Sequence, residues 1–255
     1  MPNLKPVLIL IAGANGCGKT TITKNLLANP WTLGCEYINP DDLAKAMPGG
    51  WDAKENFVEA QKLATERCEQ NLRDGRSMVL ETAFSSQRKL NFVAEAKKAG
   101  FFIRLYFIGT ASPDINAARI CRRMMTKTGH EVLIRDIIKR HDGAINMCVE
   151  ASPMVDRLYV FDNTTEGLSH QQMFRVRDGY LHKVYKPVLD FVWATNMLKR
   201  VADRLEEGQA AVNEEMTATD AGDAYVTKNA ESIDMLTGSD SSDAQIIKAK
   251  TPLSE

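Results

Sequence analysis

Gly13-Ala14-Asn15-Gly16-Cys17-Gly18-Lys19-Thr20 reads G-x-x-x-x-G-K-T, and its flanks decide how it must be built. Val7 to Ala12 (V-L-I-L-I-A) is an unbroken apolar run, as in a strand buried on both faces of a parallel sheet. Thr21 to Leu27 reads as the start of a helix. Strand, glycine loop and helix together form a phosphate-binding loop. Glycines let the backbone approach a ligand closely, and the loop's N–H groups form an anion nest at the positive end of the helix. The residues expected on a nucleotide are Gly13, Ala14, Asn15, Gly16, Cys17, Gly18, Lys19, Thr20 and Thr21. Lys19 would reach the β- and γ-phosphates, and the Thr20 hydroxyl would ligate magnesium. Cys17 reads as a small filler residue.

Working outward, the next strands place acids beside this loop. Cys35 to Ile38 reads as a strand, and Asn39-Pro40-Asp41-Asp42 follows it. One of the two aspartates is expected to be catalytic, and the other fits a helix N-cap. Ala53 to Arg73 reads as a long helix closed at Asp74-Gly75. Ser77 to Leu80 is a further strand, and Glu81-Thr82 emerge at its end, where a magnesium- or substrate-facing carboxylate belongs. Ser86 to Ala99 is a helix and Phe101 to Ile108 a buried strand.

Ser112-Pro113 opens a helix with arginines at 119, 122 and 123. After Gly129-His130, a helix from Val132 adds Arg135, Lys139, Arg140 and His141. Such a basic, interrupted helical segment closes over nucleotides in phosphoryl-transfer enzymes. Leu158 to Phe161 is a fifth strand, and Asp162-Asn163-Thr164 after it either meets the nucleotide base or is a simple turn. Residues 170–200 read as helical, with Phe191, Val192, Trp193 and Leu198 packing on the body.

Composition narrows the classes. Of 255 residues, 44% are hydrophobic and 25% charged, which suits a globular chain with a sizeable core. Five scattered cysteines without C-x-x-C spacing, and four histidines without ligand spacing, argue against a disulfide framework or a protein-ligated metal. That cysteine usage fits a reducing cytoplasm, the expected location. The apolar N-terminal run is too short for a signal peptide, and nothing approaches a membrane span, so no membrane partner is expected. The net charge of −1 splits into +7 over residues 1–204 and −8 from Leu205 onward. A mildly basic body suits anionic substrates. Without a dense run of Lys/Arg among aromatics, nucleic acid is not a favoured partner. The acidic end, residues 201–255, reads as a disordered tail beside a domain spanning residues 1–200.

The order of motifs resembles the zeta-toxin family of P-loop kinases. The resemblance rests on I-A-G-A-N-G-C-G-K-T, Tyr37-Ile38-Asn39-Pro40-Asp41-Asp42, Val79-Leu80-Glu81-Thr82, Arg119 to Arg123 with Thr128-Gly129-His130, and Phe161-Asp162-Asn163, and covers residues 4–195. It implies a three-layer α/β P-loop NTPase fold of the nucleoside-kinase kind. That fold has a mainly parallel sheet of about five strands and an α-helical lid. It implies ATP and Mg2+ as cofactors. The family's best-known activity phosphorylates a hydroxyl of UDP-N-acetylglucosamine, and an antitoxin protein blocks the site. By position, Asp41 matches the catalytic base, Lys19 and Arg123 the groups acting on the transferring phosphate, and Glu81 the substrate-orienting acid. Thr82 and Asp42 are expected near the substrate, and Arg119 and Asn163 near the nucleotide. Ala83 stands where a hydroxyl residue is common, and Thr82 is the neighbour that would serve. Arg135 and Arg140 compete for the second family arginine. Ala44 replaces a basic residue that some toxins have there, which leaves the acceptor open among nucleotide sugars, nucleosides, polynucleotide ends and antibiotics. A nucleotide-dependent switch is the rival from another class, though the guanine-reading N-K-x-D motif is absent.

Overall fold

The computed structural model describes residues 5–126, 129 and 131–217, without the side chains of 211–217. Strand β1 (Val7–Ala12) is an interior strand of a seven-stranded sheet, and Leu8 to Ala12 are at most 1% exposed. Helix α1 (Lys19–Leu27) leaves the glycine loop directly. Strand β2 (Glu36–Ile38) and the short α2 (Pro40–Ala46) follow, then the long α3 (Glu55–Asp74), ended by Gly75 in the left-handed region. Strand β3 (Met78–Thr82), α4 (Gln87–Lys98) and β4 (Phe102–Gly109) complete the first half. Helices α5 (Pro113–Met125) and α6 (Ile134–Ala151) form the lid segment, and β5 (Arg157–Asp162) closes the parallel set.

The sheet order is β2-β3-β1-β4-β5, all parallel, as a P-loop α/β core requires. Its carboxyl edge therefore gathers the glycine loop, the Asn39–Asp42 segment, Glu81-Thr82 and Asp162-Asn163 on one rim. The larger core lies between one sheet face and the helices α3, α4, α6 and α7 (Val192–Thr217). A smaller core lies under α1 on the other face. Each fully buried aliphatic side chain contributes about 1.5–3 kcal/mol, so the sheet is the rigid part on which the site rests.

Two expectations fail past residue 170. The stretch expected to be helical opens with a hairpin, β6 (Gln171–Arg177) and β7 (Tyr180–Val184), which extends the sheet antiparallel to β5. Asp178 and Gly179 turn it with φ of 51° and 80°, the two-residue geometry that matches strand twist. The five expected strands are thus the parallel part of a larger sheet. The second failure is the domain boundary at 200, because α7 crosses it and runs to Thr217. Val201, Ala202 and Leu205 on this helix are at most 2% exposed, so they belong to the core. Trp193 and Leu198 pack inward as expected, whereas Val192 is 76% exposed. The remaining acidic stretch, 218–255, lies outside the described residues, as do Thr128 and His130.

Candidate active site

The loop's glycines are sterically required where they stand. A Cβ on Gly13 would lie 2.2 Å from the Ile108 carbonyl, and one on Gly16 would lie 2.6 Å from that of Asn116. Both take positive φ, 144° and 83°. The loop is wedged against β4 and α5, and Asn15, Gly16, Gly18, Lys19 and Thr20 line a cavity. Lys19 Nζ donates to the loop's own carbonyls, 2.9 Å from Gly13 O and 3.1 Å from Ala14 O. The lysine is thereby held over the loop mouth.

Glu81 is the hub that ties this loop to its neighbours. It is 6% exposed, and three hydroxyls converge on it. Thr23 donates at 2.6 Å and Tyr37 at 3.1 Å to Oε2, and Thr20 Oγ1 is 3.4 Å from Oε1. Burial, reinforced by Glu81 itself, pushes the Tyr37 phenol well above its ordinary range, so it stays a donor. Asn39 Nδ2 donates to the Tyr37 hydroxyl at 3.0 Å. The other end of that amide, Oδ1, accepts the Asp41 backbone N–H at 3.0 Å and caps α2. Neither aspartate is the cap, contrary to the expectation for one of them; both lie in the first turn, with Asn39 ahead of them. Thr20 and Glu81 form a hard-oxygen pair of the kind magnesium takes, and Lys19 lines the same cavity.

Asp41 is clamped by its backbone alone. The Trp51 indole N–H donates to its carbonyl at 3.0 Å, while its carboxylate makes no hydrogen bond or ion pair among the described residues. That carboxylate borders two cavities. One, about 540 Å³, runs along the glycine loop past Thr20, Arg119 and Arg123. The other, about 430 Å³, is walled by Phe57, Thr82, Phe84, Lys89 and Arg140. Lys19, Asp41 and Glu81 line both, so they stand at the junction. Asp42 is exposed and borders the loop-side cavity only. Thr82 Oγ1 accepts the Phe84 N–H at 3.2 Å and supports a turn in which buried Phe84 holds φ of 51°. A bulky residue in the left-handed region is strained, and such strain gathers at functional sites. Ala44 is fully buried, so this position does not face the site.

The lid separates the competing arginines. Arg140 Nη1 donates to Asn15 Oδ1 of the glycine loop at 2.9 Å, whereas Arg135 is exposed and borders neither cavity. Arg123 borders the loop-side cavity and packs on Gly129. Arg122 is held in an ion pair by Glu166. Arg119 contacts the Thr164 carbonyl at 3.4 Å, and its Nη1 is buried with no hydrogen-bond partner among the described residues. An orphaned guanidinium N–H there fits an anionic ligand.

A third cavity, about 700 Å³, continues from Arg119 and Asn163 along α1 to Tyr106, Phe161 and His170. Asn163 Nδ2 donates to Cys17 O at 2.7 Å, so this residue buttresses the glycine loop as well as facing the cavity. His170 Nε2 lies 3.2 Å from Gly18 O and must carry the hydrogen. Burial lowers its pKa, the Gly18 contact raises it less, and Arg119 adds to the lowering. Sequence reasoning assigned no role to Thr23, Tyr37, Asn39, Lys89 or His170. Tyr37 and Asn39 lay inside a recognised motif; for the others the signal is only tertiary.

The family described as Zeta toxin matches residues 1–172 of the chain. No curated protein matches it. Among solved structures, a chain of the PezAT chromosomal toxin–antitoxin system of Streptococcus pneumoniae is 15% identical with a TM-score of 0.50, covering 82% of this chain and 89% of that one. A chain of the AvrRxo1-ORF1:-ORF2 complex with ATP is 16% identical with a TM-score of 0.57, covering 83% and 77%. The same complex with sulphate ions gives 18% identity, a TM-score of 0.54 and the same coverage. At these identities the likeness is one of fold.

Proposed function

This chain belongs to the zeta toxin family, and from that premise we propose that it transfers the γ-phosphate of ATP to a hydroxyl of a small molecule. The observation that carries the proposal is the junction: Lys19, Asp41 and Glu81 line both the loop-side and the opposite cavity. A donor along the loop and an acceptor in the opposite cavity would meet there.

In this reading the third cavity takes the nucleoside, and Arg119 and Asn163 sit where it passes into the phosphates. Asp41 accepts the proton of the acceptor hydroxyl as its oxygen attacks the γ-phosphorus. The bond from that phosphorus to the bridging oxygen of ADP breaks in line. Lys19, Arg123 and Arg140 face the charge that spreads over the transferring group, and such positioned cations supply most of the rate. Thr20 and Glu81 would hold magnesium, which neutralises phosphate charge when bound with ATP. Thr82 and Lys89 line the acceptor cavity, and Asp42 borders the phosphates' side. The Lys89 ammonium makes no ion pair or hydrogen bond among the described residues, and burial lowers its pKa. A cation so placed favours an anionic acceptor, and UDP-N-acetylglucosamine is the first candidate by family. The PezAT neighbour belongs to a toxin–antitoxin system, which supports an antitoxin partner for this chain.

The test is transfer of labelled phosphate from ATP with magnesium to a panel of nucleotide sugars, nucleosides, oligonucleotide ends and antibiotics. One acceptor class should be labelled by the wild type. Asp41→Asn should reduce turnover by about 10²–10⁴-fold with ATP affinity unchanged. Full activity in Asp41→Asn would move the base to Asp42, and no transfer to any acceptor would leave a nucleotide-binding switch.

A further inference from the structure

The sheet register assembles a charged surface that borders the third cavity at Tyr106 and extends away from it across β5, β6 and β7. Across three strands Arg104 pairs directly with Arg157, and Arg157 with Arg177. In the next row on the same face, Tyr106 pairs with Tyr159, Tyr159 with Arg175, and Arg175 with Lys183. Like charges directly opposite one another in a sheet are destabilising, and here three such pairs occur side by side. Rows two residues apart are separated by about 7 Å and neighbouring strands by about 4.8 Å, so the five cations fall within a small area.

Little on the face neutralises them. Among the described residues Asp178 alone pairs with the group, bridging Arg157 and Arg177. Among the described residues Arg104, Arg175 and Lys183 have no carboxylate partner, and Arg104 Nε is buried without a hydrogen bond. His182 reports the resulting field. Burial lowers its pKa first, and Arg175, Arg177, Arg157 and Lys183 each lower it further.

The cations are also pre-set by aromatic rings. Arg104 lies over Trp31 at 4.8 Å and Phe102 at 5.4 Å, Arg157 over Phe102 at 5.3 Å, and Arg175 over Tyr159 at 5.2 Å. Tyr159 stacks in turn on Tyr106, with centroids 4.7 Å apart. A stacked guanidinium loses little freedom on binding and offers in-plane N–H groups to phosphate and a flat face to a base. Trp31 is 43% exposed at the end of this row.

We propose that this open sheet face, Arg104, Arg157 and Arg177 in one row and Arg175 and Lys183 in the next, binds single-stranded nucleic acid. Opposed cations stacked on rings on an open sheet are the pattern of a single-strand platform. The chain's own acidic end is the weaker occupant. Residues 218–255 hold seven acids diluted by three lysines, whereas a polynucleotide carries a charge at every residue. The linear sequence hides the patch because its cations come from four strands, spread from residue 104 to 183.

The experiment is fluorescence anisotropy of the full chain with a labelled 12-nucleotide single strand, as RNA and as DNA, from 50 to 200 mM salt. The wild type should bind one or both, with affinity falling steeply as salt rises. Arg175→Gln, Arg177→Gln and Lys183→Gln combined should weaken binding at least tenfold and reduce the salt slope by about 2. ATP affinity should stay at the wild-type value, and the melting temperature should not fall, because two opposed like-charge pairs are removed. Lys62→Gln, Lys98→Gln and Lys199→Gln, exposed on helices elsewhere, form the control for net charge and should change affinity less than twofold. The proposal is overturned by no binding at 50 mM salt, by equal weakening in the control, or by tighter binding of a 12-base-pair duplex. It is also overturned if a synthetic 218–255 peptide, and not the oligonucleotide, binds in a way lost with the same three substitutions.

Discussion

Glu81 shows how a motif residue acquires meaning only from its neighbours. Its place at the end of a strand beside a glycine loop is readable because both motifs are local in sequence. The pairing is not, since Thr23 and Tyr37 lie 58 and 44 residues away, and the motif that contains Tyr37 does not say which acid its hydroxyl meets. The network makes a specific energetic claim. Removing the Tyr37 hydroxyl strips one donor from Glu81 and one acceptor from Asn39, so Tyr37→Phe should cost about 1–2 kcal/mol in urea unfolding. Combined with Glu81→Gln in a double-mutant cycle, it should show a coupling of about 0.5–2 kcal/mol. Additivity to within about 0.3 kcal/mol would mean the contact is incidental. The same scale explains the lid arginines. Arg135 and Arg140 are five positions apart, which turns them roughly 140° from one another around α6. Composition cannot choose between them; only the orientation of the helix against Asn15 does.

At the scale of elements, the five parallel strands and their helices were legible because apolar runs, caps and glycine stops agree with one another. Ser112 accepts the Asp114 N–H, with Pro113 in the first turn, as its sequence implies. The hairpin was missed although Asp178-Gly179 between apolar-polar strands is a strong turn signal. Irregularities in the pairing at Val160/Phe161 and Arg175/Val176 break the two-residue alternation that would have announced it. The last helix was cut short for a different reason. Its apolar residues thin out after Leu205 while its acids accumulate, so composition reads as a tail before the packing ends. Leu205 is 1% exposed in the main core. Leu205→Ala should therefore destabilise the protein by about 2–4 kcal/mol in denaturant unfolding. A loss below about 0.5 kcal/mol would return this stretch to the tail.

For the whole molecule, charge is distributed by the fold in a way that net charge conceals. A formal −1 coexists with a cavity lined by Lys19, Arg119 and Arg123 and with a cationic sheet face, both made from residues distant in sequence. Two histidines sit in these fields and link stability to pH with the same sign. His170 is lowered by burial against Gly18 and by Arg119, and His182 by burial and four surrounding cations, both from the ordinary value of 6.5. A histidine whose pKa is depressed on folding binds more proton in the unfolded chain over the interval between the two values. Stability is thus fully present above pH 6.5 and lost as pH falls through that interval. The melting temperature should fall progressively on going from pH 7.5 to 5, and His170→Gln with His182→Gln should flatten the profile in that range. An anion on the sheet face counters the cations around His182, so a bound single strand should reduce the histidine-dependent part of the slope. A profile that keeps its steepness in the double variant would assign the acid sensitivity to other groups.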